Sequence, residues 1–212
     1  MPKINDQYSF GGAIERVARL GLTSLFEEVK LVVSGFVLLV KEENRKNDGT
    51  AVRRMMDGRF HARRDTGWKR QRTGGVHWTK CHVVDGTETC IGVRFGFSGR
   101  SDVLAVDLIH LRRAITGGLI DAGVLVVPND ELGPYLVGRV PRISAARQHV
   151  REASAEDLPV VILGIEHDGR GLALRKEAKR GGRGAKESRR MGLPRSVEAL
   201  RAQDADGKSL AS

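Results

Sequence analysis

Cysteine is scarce in this sequence: the 212 residues contain only Cys81 and Cys90. A structural zinc site needs about four ligands at tight spacing, which two cysteines do not supply. His77 and His82 are close to Cys81, but adjacent residues of a strand point to opposite faces, so Cys81 and His82 would not bind the same ion. We therefore expect neither a disulfide framework nor a zinc site, and two unpaired thiols fit a reducing cytosol.

Long apolar runs are also lacking. The longest covers residues 31–40 and is interrupted by Ser34 and Gly35, and its length is about half of what spans a bilayer. It predicts a buried helix instead. Residues 1–6 do not show the charged-then-apolar order of a signal peptide. We therefore expect a cytoplasmic protein without a membrane partner.

Negative charge is in deficit, because 26 Asp and Glu face 36 Lys and Arg and give a formal net charge of +10. A field of this sign attracts polyanions, chiefly nucleic acid. Basic proteins are common, however, and surface charge also serves solubility. The charge therefore favours nucleic acid as the partner without identifying it.

The first half of the chain combines a helical pattern with a run of cations. Apolar residues between Leu22 and Val40 recur at spacings of three and four, which predicts an amphipathic helix over residues 23–43. Trp68 lies within the cation run and either anchors a loop or stacks on a base. The run itself is either a solvated helix face followed by a loop or a phosphate-contacting surface. Its members are Arg53, Arg54, Arg59, Arg63, Arg64, Lys69, Arg70 and Arg72.

Strand-forming residues dominate after Gly75. Residues 76–84 and 89–96 predict two strands, joined by a hairpin turn at Asp85 and Gly86. A helix follows, with Ser101 or Asp102 as its N-cap, and Gly117 and Gly118 end it.

Two wholly apolar segments follow that helix. Residues 124–127 and 159–165 predict buried strands, with a short helix from Asp130 toward Tyr135 between them. The element order predicts an α/β fold with a mixed β-sheet flanked by helices, over residues 5–168. Residues 169–212 are basic, rich in glycine and poor in apolar residues, and we expect a disordered tail.

A family resemblance appears in the second half of the chain. Residues 107–115 (DLIHLRRAI), 118–128 (GLIDAGVLVVP) and 158–166 (LPVVILGIE) resemble the type II restriction endonucleases of the BamHI, BglII and BstYI group, members of the PD-(D/E)XK nuclease fold. The resemblance covers about residues 67–166. It implies a restriction-endonuclease-like fold, site-specific cleavage of double-stranded DNA in restriction-modification, and a twofold homodimer.

The resemblance also implies a magnesium site, because Mg²⁺ prefers carboxylate oxygens and activates the water that attacks the phosphodiester. In that group one Asp on the first strand and a Glu-x-Glu or Glu-x-Gln on the second strand hold the metal. The matching positions here are Val83, Gly92 and Arg94, and none of them is a carboxylate. Mg²⁺ is therefore expected as a cofactor only if the protein is catalytically active.

Other acids could act as catalytic residues. Asp85 and Glu88 are the candidates, although both are expected in the hairpin turn, where turn and solvation roles are the alternative. Glu27 or Glu28 on the preceding helix could supply one further ligand. A Ser–His–Asp arrangement of Ser101, His110 and Asp102 lacks a nucleophile elbow, and His110 is expected to pack or cap a helix.

Eight cations are the candidate DNA-binding residues. For the two on the predicted helix after the hairpin, an exposed helix face is an equal alternative. The eight are Arg63, Arg64, Lys69, Arg70, Lys80, Arg94, Arg112 and Arg113.

Three functions stay open at this point. The first is a DNA-binding protein of a type II restriction endonuclease family, whether or not it still cuts DNA. The second is a non-catalytic nucleic-acid-binding protein with a regulatory or accessory role. The third is an unrelated basic protein, for instance one associated with RNA.

Overall fold

Eight strands are seen in the computed structural model, which describes residues 4–43, 47–97 and 103–172. They are β1 (Ile4–Phe10), β2 (Leu39–Val40), β3 (Lys69–Arg70), β4 (Trp78–Val84), β5 (Thr87–Phe95), β6 (Ala122–Pro128), β7 (Val160–Ile165) and β8 (Gly169–Arg170). Six of them form one sheet in the order β1-β7-β6-β5-β4-β3, and β2 pairs with β8.

Helices cover both faces of the large sheet. They are α1 (Ala13–Arg19), α2 (Thr23–Ser34), α3 (Gly49–His61), α4 (Val103–Thr116) and α5 (Ile143–Glu152), with short 3₁₀ turns at Arg64–Thr66 and Gly133–Tyr135. The apolar residues of α1, α2 and α3 pack on one face, and those of α4 and α5 pack on the other. The prediction of a mixed sheet flanked by helices is confirmed.

The sheet combines antiparallel and parallel pairing. Strands β3, β4 and β5 pair antiparallel, whereas β5, β6 and β7 run parallel and β1 returns antiparallel beside β7. Every residue of β6 and β7 is buried, as expected for central strands that are covered on both faces. Both predicted apolar strands are thus confirmed.

The predicted hairpin is also confirmed. β4 and β5 pair continuously from Trp78 with Val93 to Val84 with Thr87. The two residues between them, Asp85 and Gly86, have φ angles of 49° and 78°. A two-residue hairpin turn of this kind needs positive φ at both positions, which Asp and Gly tolerate better than most residues.

The prediction of one long helix over residues 23–43 is wrong. Helix α2 ends at Ser34, with Gly35 as its C-cap, and β2 follows. Val33, Phe36 and Val40 are buried as the spacing suggested, but Leu31 is 63% and Val37 58% exposed. The pattern continued past Gly35 because the segment after the helix also lies on the core, so residues 31–40 are not a buried helix.

The two cysteines form a disulfide, so the expectation of unpaired thiols is wrong. The reason is register. A two-residue turn at Asp85 and Gly86 makes Cys81 the direct cross-strand partner of Cys90. Directly opposed residues of an antiparallel pair are close enough for the two sulfur atoms to bond.

The elements that were not predicted include β1, α1 and α5 and the short strands β2, β3 and β8. The predicted N-cap residues Ser101 and Asp102 lie outside the described residues, as does the predicted tail from residue 173 onward. The start of that tail, Gly169–Arg170, forms β8. Among the described helices, none has the length and apolar character needed to cross a membrane.

Candidate nucleic-acid interface

A cleft of about 510 Å³ opens beside β3 and the loop that follows it. Residues 70–77 form one wall, Arg53 reaches it from α3, and Arg94 and His110 border it from β5 and α4. We call this the basic cleft. It draws on elements from both faces of the sheet, since α3 packs on one face and α4 on the other.

Arg94 borders the cleft and forms an ion pair with Asp107 of α4. Its Nε donates to Asp107 Oδ1 at 2.6 Å, and its Nη1 donates to the carbonyl oxygen of Gly75. The side chains of Arg94 and Asp107 are only 13% and 4% exposed. Burial raises the pKa of Asp107, and the charge and hydrogen bonds of Arg94 act against that rise. Arg94 therefore holds the loop and α4 together at this point.

The other arginines of the cleft carry an excess of positive charge. Arg53 and Arg70 share one carboxylate, Asp57, at 3.9 Å and 3.6 Å. Arg72 is exposed and has no ion-pair partner among residues 4–43, 47–97 and 103–172. Four guanidinium groups thus face two carboxylates, and Arg72 is available to an external anion.

Two histidines complete the lining. His77 Nδ1 accepts a hydrogen bond from the backbone N–H of Phe95 at 2.9 Å. Burial and the charges of Arg53, Arg94 and Arg70 lower the pKa of His77 to about 3. His77 is therefore neutral at physiological pH, with its proton on Nε2. His110 Nδ1 is buried without a hydrogen-bond partner in the described part of the chain.

The loop between β3 and β4 is shaped by two glycines. Gly74 and Gly75 both have a φ of 86°, a conformation that residues with a side chain rarely adopt. A Cβ atom at Gly75 would lie 2.6 Å from the carbonyl oxygen of His110. The loop can therefore approach α4 closely only because Gly75 lacks a side chain.

A second depression of about 630 Å³ continues the basic surface past β3 toward the end of α3. Arg70 borders both depressions, and Arg64 and Lys69 line the second. Charged residues on a short edge strand also prevent pairing with another chain. The cations of β3 are thus consistent with edge protection as well as with anion binding.

The eight predicted DNA-binding residues do not form one group. Arg70 and Arg94 line the basic cleft, whereas Arg112 pairs with Asp157 at 3.0 Å. Arg113 is exposed beside the loop at Gly74 and Gly75. The prediction missed three residues that line the cleft: Arg53, Arg72 and His77. The two arginines belong to the cation run but were not among the eight candidates.

Lys80, Arg63 and Trp68 surround Glu28 of α2. Glu28 Oε1 accepts from Trp68 Nε1 at 2.9 Å, and Oε2 accepts from Lys80 Nζ at 2.7 Å. Arg63 lies 3.9 Å away. Trp68 is 1% exposed and packs edge-on against Phe60. Trp68 therefore anchors the loop, and base stacking would require it to leave the core.

Glu28→Gln is expected to lower the free energy of unfolding at pH 7 by about 1–2 kcal/mol. Burial acts to raise the pKa of Glu28, but hydrogen bonds from Lys80 and Trp68 and the charges of Lys80 and Arg63 hold it below its usual value. A lowered pKa contributes stability above the unfolded-state pKa and loses it as pH falls through the folded-state pKa.

The gap in the free energy of unfolding between wild type and Glu28→Gln should therefore narrow on acidification from pH 7 to pH 3. Urea unfolding measures it. Glu27→Gln is the matched control, because Glu27 is exposed and pairs only with Lys30 among the described residues. A gap that stays constant with pH would show that the ionised carboxylate is not the stabilising form.

The candidate catalytic acids do not approach the cleft. Asp85 is in the turn, and Glu88 is six residues along β5 from Arg94, about 20 Å at the usual rise of a strand. Val83 faces Glu88, whereas Thr79 faces Gly92, so Val83 and Gly92 are not cross-strand partners. The reason is that pairing in the hairpin is fixed by the turn.

Magnesium does not fit the residues of the cleft. Among the described residues, Asp107 is the one carboxylate that contacts Arg94. A side chain at position 92 would be crowded, because a Cβ atom there would lie 2.7 Å from Ile120. Within the described ranges, the one group of three or more side chains close enough to share an ion is Cys81, Glu88 and Cys90.

The sequence matches no protein-family model and no curated protein. Function is therefore inferred from the geometry and charge of the cleft.

Proposed function

We propose that this protein binds double-stranded DNA through the basic cleft and the adjoining basic surface along β3. The observation that carries the proposal is the excess of guanidinium groups around one cleft, with Arg72 free of an ion-pair partner among the described residues. Arginine donates paired hydrogen bonds that match the oxygens of a phosphate. Phosphate contacts supply most of the affinity of such proteins for DNA.

The element order supports descent from the type II restriction endonucleases that the sequence resembles. The resemblance implied a hairpin, a helix, a buried strand ending at a proline and a later buried strand. The corresponding elements are β4 and β5, α4, β6 ending at Pro128, and β7. Arg94, aligned with a metal-binding position of that group, borders the cleft. The twofold dimer implied by the resemblance stays a prediction.

We further propose that the protein binds DNA without cutting it by a magnesium-dependent mechanism. Mg²⁺ needs several oxygen ligands, and a guanidinium group close to Asp107 repels a divalent cation. These features favour the non-catalytic nucleic-acid-binding protein over an active endonuclease.

Full-length protein is expected to bind mixed-sequence duplex DNA at low salt, with an affinity that falls steeply as salt rises, because each neutralised phosphate releases counterions. Neither Mg²⁺ nor Mn²⁺ is expected to stimulate cleavage. Fluorescence anisotropy measures the binding, and gel electrophoresis of a plasmid measures the cleavage.

Two results would overturn this proposal. The first is no duplex binding even at low salt, or binding to RNA alone. The second is metal-stimulated cleavage that is lost in Asp85→Asn or Glu88→Gln, which would place the active site at the turn end of the β4–β5 hairpin.

A further inference from the structure

Three side chains with metal-binding atoms converge on the β4–β5 hairpin, away from the basic cleft. The two Sγ atoms of Cys81 and Cys90 and a carboxylate oxygen of Glu88 all lie within 4.8 Å of one another. Cys81 faces Cys90 across the hairpin. Glu88 is two residues before Cys90 on β5, so both side chains share one face of the strand.

The position of these residues does not depend on the disulfide. The pairs on either side, Lys80 with Ile91 and His82 with Thr89, belong to the backbone ladder, and the turn fixes its register. Breaking the sulfur–sulfur bond would therefore leave two thiols facing each other. Two thiolates on one tetrahedral zinc ion lie about 3.8 Å apart, which is within reach of directly opposed side chains.

Exposure and ligand chemistry favour a thiophilic cation at this place. Glu88 is exposed and Cys81 half-buried, so an ion can enter from solvent. The carboxylate of Asp121 accepts a hydrogen bond from the backbone N–H of Cys90 at 2.8 Å, and its charge is balanced by Arg16 at 4.0 Å. Thiolate ligands select thiophilic ions such as Zn²⁺ over Mg²⁺.

We propose that Cys81, Cys90 and Glu88 form a redox-gated site for a thiophilic divalent cation such as Zn²⁺. As a disulfide the pair has no thiolate to offer, and the site is closed. A dithiol reductant opens it by giving two electrons and two protons to the disulfide, becoming a disulfide itself. The ion then displaces the two thiol protons and binds both thiolates and the carboxylate, with water in the fourth position.

Cadmium binding to the reduced full-length chain tests this site. The protein is reduced with a phosphine, desalted without oxygen and titrated with Cd²⁺, and the thiolate-to-cadmium absorption band is recorded. Because the chain contains only two cysteines, the band reports on this pair alone. We expect one Cd²⁺ per reduced chain, displacement by Zn²⁺, and no band for the oxidised protein.

Two variants distinguish the loss of a metal ligand from a general loss of negative charge near the site. Glu88→Gln removes the oxygen ligand and is expected to weaken Cd²⁺ binding at least about tenfold, as the loss of a direct ligand should cost no less than that of a supporting group. Asp85→Asn removes a neighbouring charge from the same hairpin and should bind like wild type, since Asn also tolerates the positive φ at this position.

Four results of the titrations would overturn the proposal. These are a reduced protein with no thiolate band at stoichiometric Cd²⁺, a band in the oxidised protein, equal affinity of Glu88→Gln and wild type, and equal weakening by Asp85→Asn. Far-ultraviolet circular dichroism accompanies each titration. Loss of the fold on reduction would also contradict the proposal, because the site requires the register of β4 and β5.

Discussion

Asp107→Ala is expected to lower the free energy of unfolding by about 3–5 kcal/mol, because it leaves a buried charge without its partner. Asp107 is nearly inaccessible, and it accepts hydrogen bonds from Arg94 at the side of the basic cleft. Without the carboxylate, the guanidinium group of Arg94 keeps only the carbonyl of Gly75 as a hydrogen-bond partner among the described residues. Urea unfolding at pH 7 measures the loss.

Two further variants test whether the loss of stability comes from the buried ion pair. Asp157→Ala breaks the exposed ion pair with Arg112 and should cost less than about 1 kcal/mol. The double variant Arg94→Met with Asp107→Leu removes both charges and should recover most of the stability, as replacement of a buried ion pair by apolar residues often does. A loss for Asp107→Ala no larger than that for Asp157→Ala would mean that the Arg94–Asp107 pair is not buried in solution.

Arg72→Glu is expected to weaken binding to duplex DNA on the order of tenfold at physiological salt, because it replaces a cation proposed to contact phosphate by an anion. The fold should be unaffected, since Arg72 is exposed and has no ion-pair partner among the residues described. Fluorescence anisotropy with a mixed-sequence duplex measures the affinity, and thermal unfolding verifies the fold.

Arg151→Glu is the matched control for this change. Arg151 is exposed on α5, which packs against β6 and β7 instead of the β3 edge. The control alters the net charge equally but lies away from the cleft. Equal weakening by the two variants would show that DNA responds to overall charge and not to the cleft.

The elements with strong local signals were predictable from the sequence. The hairpin followed from Asp85 and Gly86, and the two apolar strands from their uninterrupted runs. The opposition of Cys81 and Cys90 follows from the same turn, because Cys81 lies four residues before Asp85 and Cys90 lies four residues after Gly86. β1 also carried a signal, because its exposed polar residues Asn5, Gln7 and Ser9 alternate with half-buried ones.

The basic cleft was only partly predictable, because it is assembled from distant segments. Arg53 and Arg72 were recognised as members of a cation run, but local sequence does not tell which cations turn toward a common cleft. The pairing of Arg94 with Asp107 joins a strand to the helix after it, and it depends on how α4 packs on the sheet. The same holds for Glu28, whose partners Trp68 and Lys80 come from two later segments.

The salt dependence of duplex binding tests the role of the basic cleft most directly. The slope of log affinity against log salt concentration counts the phosphates that the protein neutralises. For Arg72→Ala we expect the magnitude of this slope to fall by about 1 relative to wild type, and for Arg151→Ala we expect no change. A wild-type protein without salt-dependent binding, or an unchanged slope for Arg72→Ala, would contradict DNA binding in the basic cleft.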